Sequence, residues 1–105
     1  MTAVSLPSLS VRSTPAGVKL IHVPLVEPEM TIDVAAVRRL IGPNTILIYS
    51  SAPTYPHGAV DPVERLAELA RRYDVGLHVD CCLGGFVLPF AKKLGYTDIP
   101  STYKY

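Results

Sequence analysis

The stretch VGLHVDCCLGG, residues 75–85, decides the fold that we expect for this chain. It opens with a short apolar run, interrupted by one histidine, which is typical of a strand covered on both faces of a sheet. Asp80 ends this run, and Gly84 and Gly85 then lead into an apolar segment over residues 83–94 that has the length of a helix. A strand, a loop and a helix are therefore predicted in direct succession.

The preceding sequence shows the same alternation of strand and helix patterns. Apolar runs over residues 18–25 and 45–49 predict two more strands, while apolar residues at helical spacing predict helices over 33–41 and 61–73. With residues 75–79 as the third strand, the order is βαβαβ. Strands that alternate with helices of this length form a parallel sheet with right-handed crossovers. We therefore predict an α/β fold built on a parallel sheet.

Short capping signals predict where two of these helices begin. Asp61, Pro62 and Glu64 have the spacing of a carboxylate cap, a proline in the first turn and an acid three residues after the cap. Thr31 is a suitable cap for the earlier helix. We expect the side chain of Asp61 to bind the free amides of the helix that follows it.

The composition limits the function classes that are open to the chain. With 105 residues, of which 49% are hydrophobic, it fits one domain, and a net charge of +1 from scattered residues argues against nucleic-acid binding. No apolar stretch approaches the roughly 20 residues that cross a bilayer, so we expect no membrane span in this chain. Residues 1–16 match neither a secretory signal nor a transit peptide. We expect them to be disordered or to be a start foreign to the domain.

Two loops are the predicted place for a ligand. In open parallel sheets ligands bind outside the carboxyl ends of the strands, which here are followed by residues 50–58 and 80–85. Asp80 is costly at the end of an apolar strand unless its charge has a partner. Two interpretations stay open: Asp80 caps the turn after the strand, or it pairs with a cationic ligand nitrogen such as a protonated pyridine. His57, in the other loop, is either an acid or base or a solvated side chain.

A metal site is an alternative for the same region. His78, Asp80, Cys81 and Cys82 are close in sequence, but their spacing matches no common zinc pattern. Adjacent cysteines cannot form an unstrained disulfide, which favours a reducing compartment. We therefore favour small buried thiols that pack beside the sheet, and we predict no metal ligands.

Three stretches of the chain together resemble one family. They are SAPTYPHG (residues 51–58), DPVERLAELARRY (61–73) and LHVDCCLGGFVLPFAKKLGY (77–96). They resemble the sphingosine-1-phosphate lyases, in the group II decarboxylase-like family of fold type I enzymes that depend on pyridoxal 5'-phosphate (PLP). The sequence at 23–48 is similar to the stretch that these proteins carry just upstream. The resemblance implies that residues 17–105 are part of a PLP-binding large domain, with the fold type I transferase-like architecture.

The resemblance also implies roles for individual residues. Asp80 would pair with the pyridine nitrogen of PLP, and Cys82 would pack a small side chain against one face of the cofactor ring. Ser51 and His57 would lie on the loop that borders the same site. The family binds PLP as a Schiff base through a lysine on a T-H-K-Y-G-like element. The chain ends in TYKY, which makes Lys104 the candidate for that lysine.

The activity that the resemblance implies is retro-aldol cleavage of a phosphorylated sphingoid base to a fatty aldehyde and phosphoethanolamine. Full-length members form homodimers, and eukaryotic members face the cytosol from the endoplasmic reticulum membrane, whereas others are cytoplasmic. The family's phosphate-binding region and small domain have no counterpart here, so we expect a fragment that is inactive alone. Two alternatives remain: an inactive truncated isoform or remnant that associates with an intact subunit, and a small α/β metal-binding module.

Overall fold

A computed structural model describes residues 2–5, 17–55 and 57–96 of the chain. These residues form six strands and three helices. In chain order they are β1 (Thr2–Ser5), β2 (Lys19–His22), β3 (Leu25–Val26), β4 (Thr31–Ile32), α1 (Val34–Leu40), β5 (Thr45–Ser51), α2 (Val63–Tyr73), β6 (Gly76–Asp80) and α3 (Gly84–Lys93).

Four of the strands form one parallel sheet in the order β2-β1-β5-β6. The two-residue strands β3 and β4 form a separate antiparallel pair. Strands β2, β5 and β6 and all three helices lie where the sequence predicted them, which confirms the α/β class and the parallel sheet. The predicted strand over 18–25 is divided, because β2 ends at His22 and β3 begins only after Pro24, which has no amide hydrogen to donate.

Strand β1 lies inside the sheet, between β2 and β5. The expectation of a disordered or foreign start over residues 1–16 is therefore corrected for Thr2–Ser5. Four residues are too few to show a clear alternation in sequence, and the pairing on both sides is long-range. Residues 6–16 lie outside the part of the chain that the structure describes.

The main core lies between one face of the sheet and the helices α1 and α2. Val37 of α1, Ile48 of β5 and Leu66 of α2 are each fully buried in it. On the opposite face of β5, Leu47 and Tyr49 are only half-buried. Coverage of both faces, as the continuous apolar run predicted, is therefore incomplete within the described residues.

The outer side of α3 carries large exposed apolar side chains. Phe86 and Leu94 expose about four-fifths of their surface, and Leu83 and Phe90 more than half. Their spacing of three to four residues places them along one stripe of the helix. None of the helices in residues 17–55 and 57–96 combines the length and the apolar character that crossing a membrane requires.

Asp61 does not cap α2, which corrects the expectation drawn from its position. The helix begins at Val63 with Pro62 in the capping position, which provides no side-chain capping hydrogen bond. Asp61 is instead 1% exposed. Its Oδ1 accepts a hydrogen bond from the amide of Ile32 at 2.9 Å.

The other carboxylate oxygen of Asp61 binds the end of β5. Oδ2 accepts hydrogen bonds from the Ser50 hydroxyl and from the Ser51 amide, both at 2.9 Å. Three donors satisfy a charge that burial would otherwise make costly. Asp61 thus joins β4, β5 and the segment before α2. The earlier helix α1 is capped by Asp33 rather than Thr31, through the amide of Ala35 at 2.8 Å.

Replacing Asp61 with asparagine should lower the free energy of unfolding by about 1–3 kcal/mol, because an amide NH₂ would face a donor and leave it unpaired. The matched control is Asp33→Asn, since asparagine caps a helix as well as aspartate does. Urea unfolding followed by circular dichroism measures both variants. Equal stability of the two variants would contradict the structural role of Asp61.

Candidate functional site at the carboxyl ends of β5 and β6

The two loops predicted to hold a ligand leave the sheet side by side. In the parallel pair β5 and β6, Ser51 is the register partner of Asp80. The amide of Ala52 donates a hydrogen bond to the Asp80 carbonyl oxygen at 2.8 Å, which continues the pairing past the end of β5. The structure therefore brings the first residues of both predicted loops together at the edge of the sheet where parallel sheets bind ligands.

Asp80 is half-buried and has two hydrogen-bond donors, one for each carboxylate oxygen. The backbone amide of Cys82 donates to Oδ1 at 3.0 Å, which is the turn-capping contact. The Tyr49 hydroxyl donates to Oδ2 at 2.7 Å from the neighbouring strand. A carboxylate offers about four lone-pair positions, so two contacts leave acceptor capacity for a further donor. Turn capping and ligand binding are thus compatible at this residue.

Tyr49 is a residue of this site that the sequence analysis missed. It is the register partner of His78, and the two rings stack with centroids 5.1 Å apart and planes 28° apart. Burial, together with the hydrogen bond to Asp80 and the negative charge of that carboxylate, raises the pKa of Tyr49 to about 12. The hydroxyl is therefore protonated at neutral pH and remains a donor. Only the strand register could have revealed this contact, because the two residues are 31 positions apart.

Gly84 brings the first turn of α3 against the end of β5. A Cβ atom at this position would overlap the carbonyl group of Ala52. Ala52 is fully buried, and it clusters with Val63 and with Leu88 of α3. The structure thus assigns Gly84 to close packing between two backbone segments that flank the site.

The other predicted cofactor-binding residues have different surroundings. Ser51 is the last residue of β5 rather than part of the loop, is 5% exposed and donates its amide to Asp61. His57 is exposed on the following loop. Cys82 is also exposed, and its amide holds Asp80. Lys104 lies outside the described residues.

The metal-binding alternative finds no support. Within residues 2–5, 17–55 and 57–96, no three histidine, cysteine or acidic residues are arranged to hold a metal ion. The His78 ring stacks on Tyr49, and half-buried Cys81 packs against the cluster around Ala52. Packing thus accounts for Cys81, whereas Cys82 is exposed and does not fit the expectation of two buried thiols.

The comparisons with known proteins agree with this arrangement. The sequence model of the family described as "Aminotransferase class-V" matches residues 3–85. A sphingosine-1-phosphate lyase of Oryza sativa subsp. japonica is 58% identical over 84 residues, which are 80% of this chain and 15% of that protein. A "Probable L-aspartate decarboxylase" of Pyrococcus furiosus is 51% identical over 84 residues, 80% of this chain and 22% of that protein. The chain therefore spans about a fifth or less of the length of these relatives.

A solved structure shares the fold. The sphingosine-1-phosphate lyase Bpss2021 of Burkholderia pseudomallei K96243 superposes with a TM-score of 0.87 at 35% sequence identity. The match covers 94% of this chain and 24% of the other. The α/β arrangement around the site thus matches a segment of a longer chain.

Replacing Gly84 with alanine should destabilise the chain by about 1–3 kcal/mol, because the added methyl group would push α3 away from the end of β5. Gly42→Ala is the matched control, since a Cβ there meets nothing within 4 Å. Urea unfolding compares the two variants. An unfolding midpoint of Gly84→Ala at or above that of Gly42→Ala would refute the close-packing role.

Proposed function

Because the chain belongs to the aminotransferase class-V family, whose members depend on PLP, we propose that it is part of the cofactor-binding domain of a PLP-dependent carbon–carbon lyase. The proposed substrate is a phosphorylated sphingoid base, and the products are a fatty aldehyde and phosphoethanolamine. The similarity to sphingosine-1-phosphate lyases, in sequence and in structure, supports this substrate class. The single observation that carries the proposal is the position and hydrogen bonding of Asp80.

The residues at the site fit the chemistry of the cofactor. Asp80 lies at the carboxyl end of β6, keeps acceptor capacity and is held by two donors, which suits it to pair with a protonated ring nitrogen. A bound PLP supplies an electron sink for the electrons of the cleaved bond, and a positive ring nitrogen strengthens that sink. Asp80 keeps the proton on the nitrogen through its negative charge. Cys82, exposed beside Asp80, would contact the ring, while Ser51 and His57 would border the site.

Further parts of the proposal rest on the family resemblance alone. Lys104 is proposed as the lysine that binds PLP covalently. The full-length enzyme is proposed to be a homodimer, in the cytoplasm or facing the cytosol from the endoplasmic reticulum membrane. The chain spans 15% of the rice lyase, so the groups that bind the substrate phosphate would be supplied by residues with no counterpart here. The chain on its own is proposed to be inactive.

A second candidate is decarboxylation of an acidic amino acid. The identity of 51% to the Pyrococcus furiosus protein favours it. Both reactions need an acid that holds a positive ring nitrogen, so Asp80 would serve either of them in the same way. The two candidate functions therefore differ in their substrate, but both use Asp80 to bind the cofactor.

The test is a chimera of the rice lyase in which its matching segment is replaced by the corresponding residues of this chain. We expect the chimera to bind PLP and to release fatty aldehyde from sphingosine-1-phosphate. Asp80→Asn should keep the fold and lower kcat at least about 100-fold, because it removes the charge that stabilises the electron sink. Asp74→Asn is the matched control, since this exposed residue ends α2 in a left-handed conformation that asparagine also adopts.

Turnover is measured with sphingosine-1-phosphate in this chimera and with L-aspartate in the equivalent chimera of the Pyrococcus furiosus protein. Near-normal cleavage by the Asp80→Asn chimera would overturn the role of Asp80. Activity of the decarboxylase chimera without activity of the lyase chimera would replace the first candidate by the second.

A further inference from the structure

The Tyr49 hydroxyl forms the shorter of the two hydrogen bonds described above to the Asp80 carboxylate. Its oxygen lies 2.7 Å from Oδ2, a length typical of a hydrogen bond to a charged oxygen, which is roughly twice as strong as a neutral one. Tyr49 lies on β5 and Asp80 on β6, so the bond crosses between strands. Because the register partner of Tyr49 is His78, the hydroxyl reaches along the sheet to the end of the neighbouring strand.

The Tyr49 ring is itself held in place. It is half-buried and stacks on the His78 ring, which restricts its rotation about the side-chain torsions. Since the pKa of Tyr49 is about 12, the hydroxyl does not switch to an acceptor at neutral pH. Its proton therefore points to Asp80 under the conditions in which an enzyme would work.

Two donors on different oxygens determine the rotation of the Asp80 carboxylate. The Cys82 amide holds Oδ1 and the Tyr49 hydroxyl holds Oδ2, so turning the carboxylate breaks both bonds. The amide belongs to the backbone and is fixed by the turn after β6. The Tyr49 hydroxyl, by contrast, belongs to a side chain, so a substitution can remove this donor and leave the backbone unchanged.

We propose that Tyr49 is a positioning residue, which orients the Asp80 carboxylate toward the ring nitrogen of the cofactor. This inference rests on the proposed function of Asp80 and deepens it. Tyr49 acts through Asp80 and is not required to touch the cofactor. Without the hydroxyl, the carboxylate is held by one donor, turns more freely and retains PLP less well.

The first experiment tests the contact in the full 105-residue chain, without cofactor. Tyrosine labelled with ¹³C at the Cζ position gives a titration curve for Tyr49 by NMR. Asp80→Asn should lower the pKa of Tyr49 below about 12, because the hydrogen bond to a charged oxygen and the charge itself are lost while burial remains. A Tyr49 pKa that Asp80→Asn leaves unchanged would overturn the contact.

The second experiment measures PLP retention in the chimera with the rice lyase. Tyr49→Phe keeps the ring and its stacking on His78, and we expect it to raise the PLP dissociation constant about tenfold, because a carboxylate that turns freely must be oriented when PLP binds. Tyr73→Phe is the matched control, since Tyr73 lies on α2 and its ring contacts the Arg72 guanidinium. Circular dichroism and urea unfolding confirm that all variants are folded.

A double-mutant cycle separates positioning from a general structural effect. If Tyr49 acts through Asp80, then Tyr49→Phe should weaken PLP binding in the wild-type background and change little in the Asp80→Asn background. Equal losses in both backgrounds, or no loss in the wild-type background, would overturn the inference. Failure of the unsubstituted chimera to bind PLP would instead reject the proposed function, and this inference with it.

Discussion

The rest of this structure depends on the hydrogen bonds to the buried carboxylate of Asp61. This side chain is 1% exposed, and it accepts hydrogen bonds from the amide of Ile32, the hydroxyl of Ser50 and the amide of Ser51. A buried charge with three donors is stable, whereas the same charge with a donor missing is not. These bonds therefore fix the position of the end of β5, including Ser51, which is the register partner of Asp80.

The sequence revealed the periodic elements well, because their signals are local. The continuous apolar runs at 45–49 and 75–79 lie within or overlap β5 and β6, and the amphipathic pattern before Tyr73 became α2. The four residues of β1 were missed, because so short a strand has no period of its own and is defined by its neighbours on both sides.

Asp61 shows why side-chain roles were harder to predict than elements. An aspartate before a proline at a helix start is typical of a cap, and the helix did follow. The carboxylate nevertheless binds donors 10, 11 and 29 residues away, which only the folded chain brings near. The same limit applies to Tyr49, whose partner Asp80 was singled out in the sequence because a carboxylate at that strand end is costly without a partner. Local sequence thus identified the group that needs partners, and the strand register identified the partner.

The restraints around Asp80 differ in how freely evolution can change them. The Ala52 amide holds the Asp80 carbonyl oxygen and the Cys82 amide holds Oδ1, and any residue except proline supplies such an amide. Gly84 cannot change without moving α3, because its neighbour is backbone. The Tyr49 hydroxyl, by contrast, is a side-chain donor that phenylalanine would remove with the ring kept. The backbone therefore places Asp80, while Tyr49 offers a way to adjust the orientation of its carboxylate with the fold unchanged.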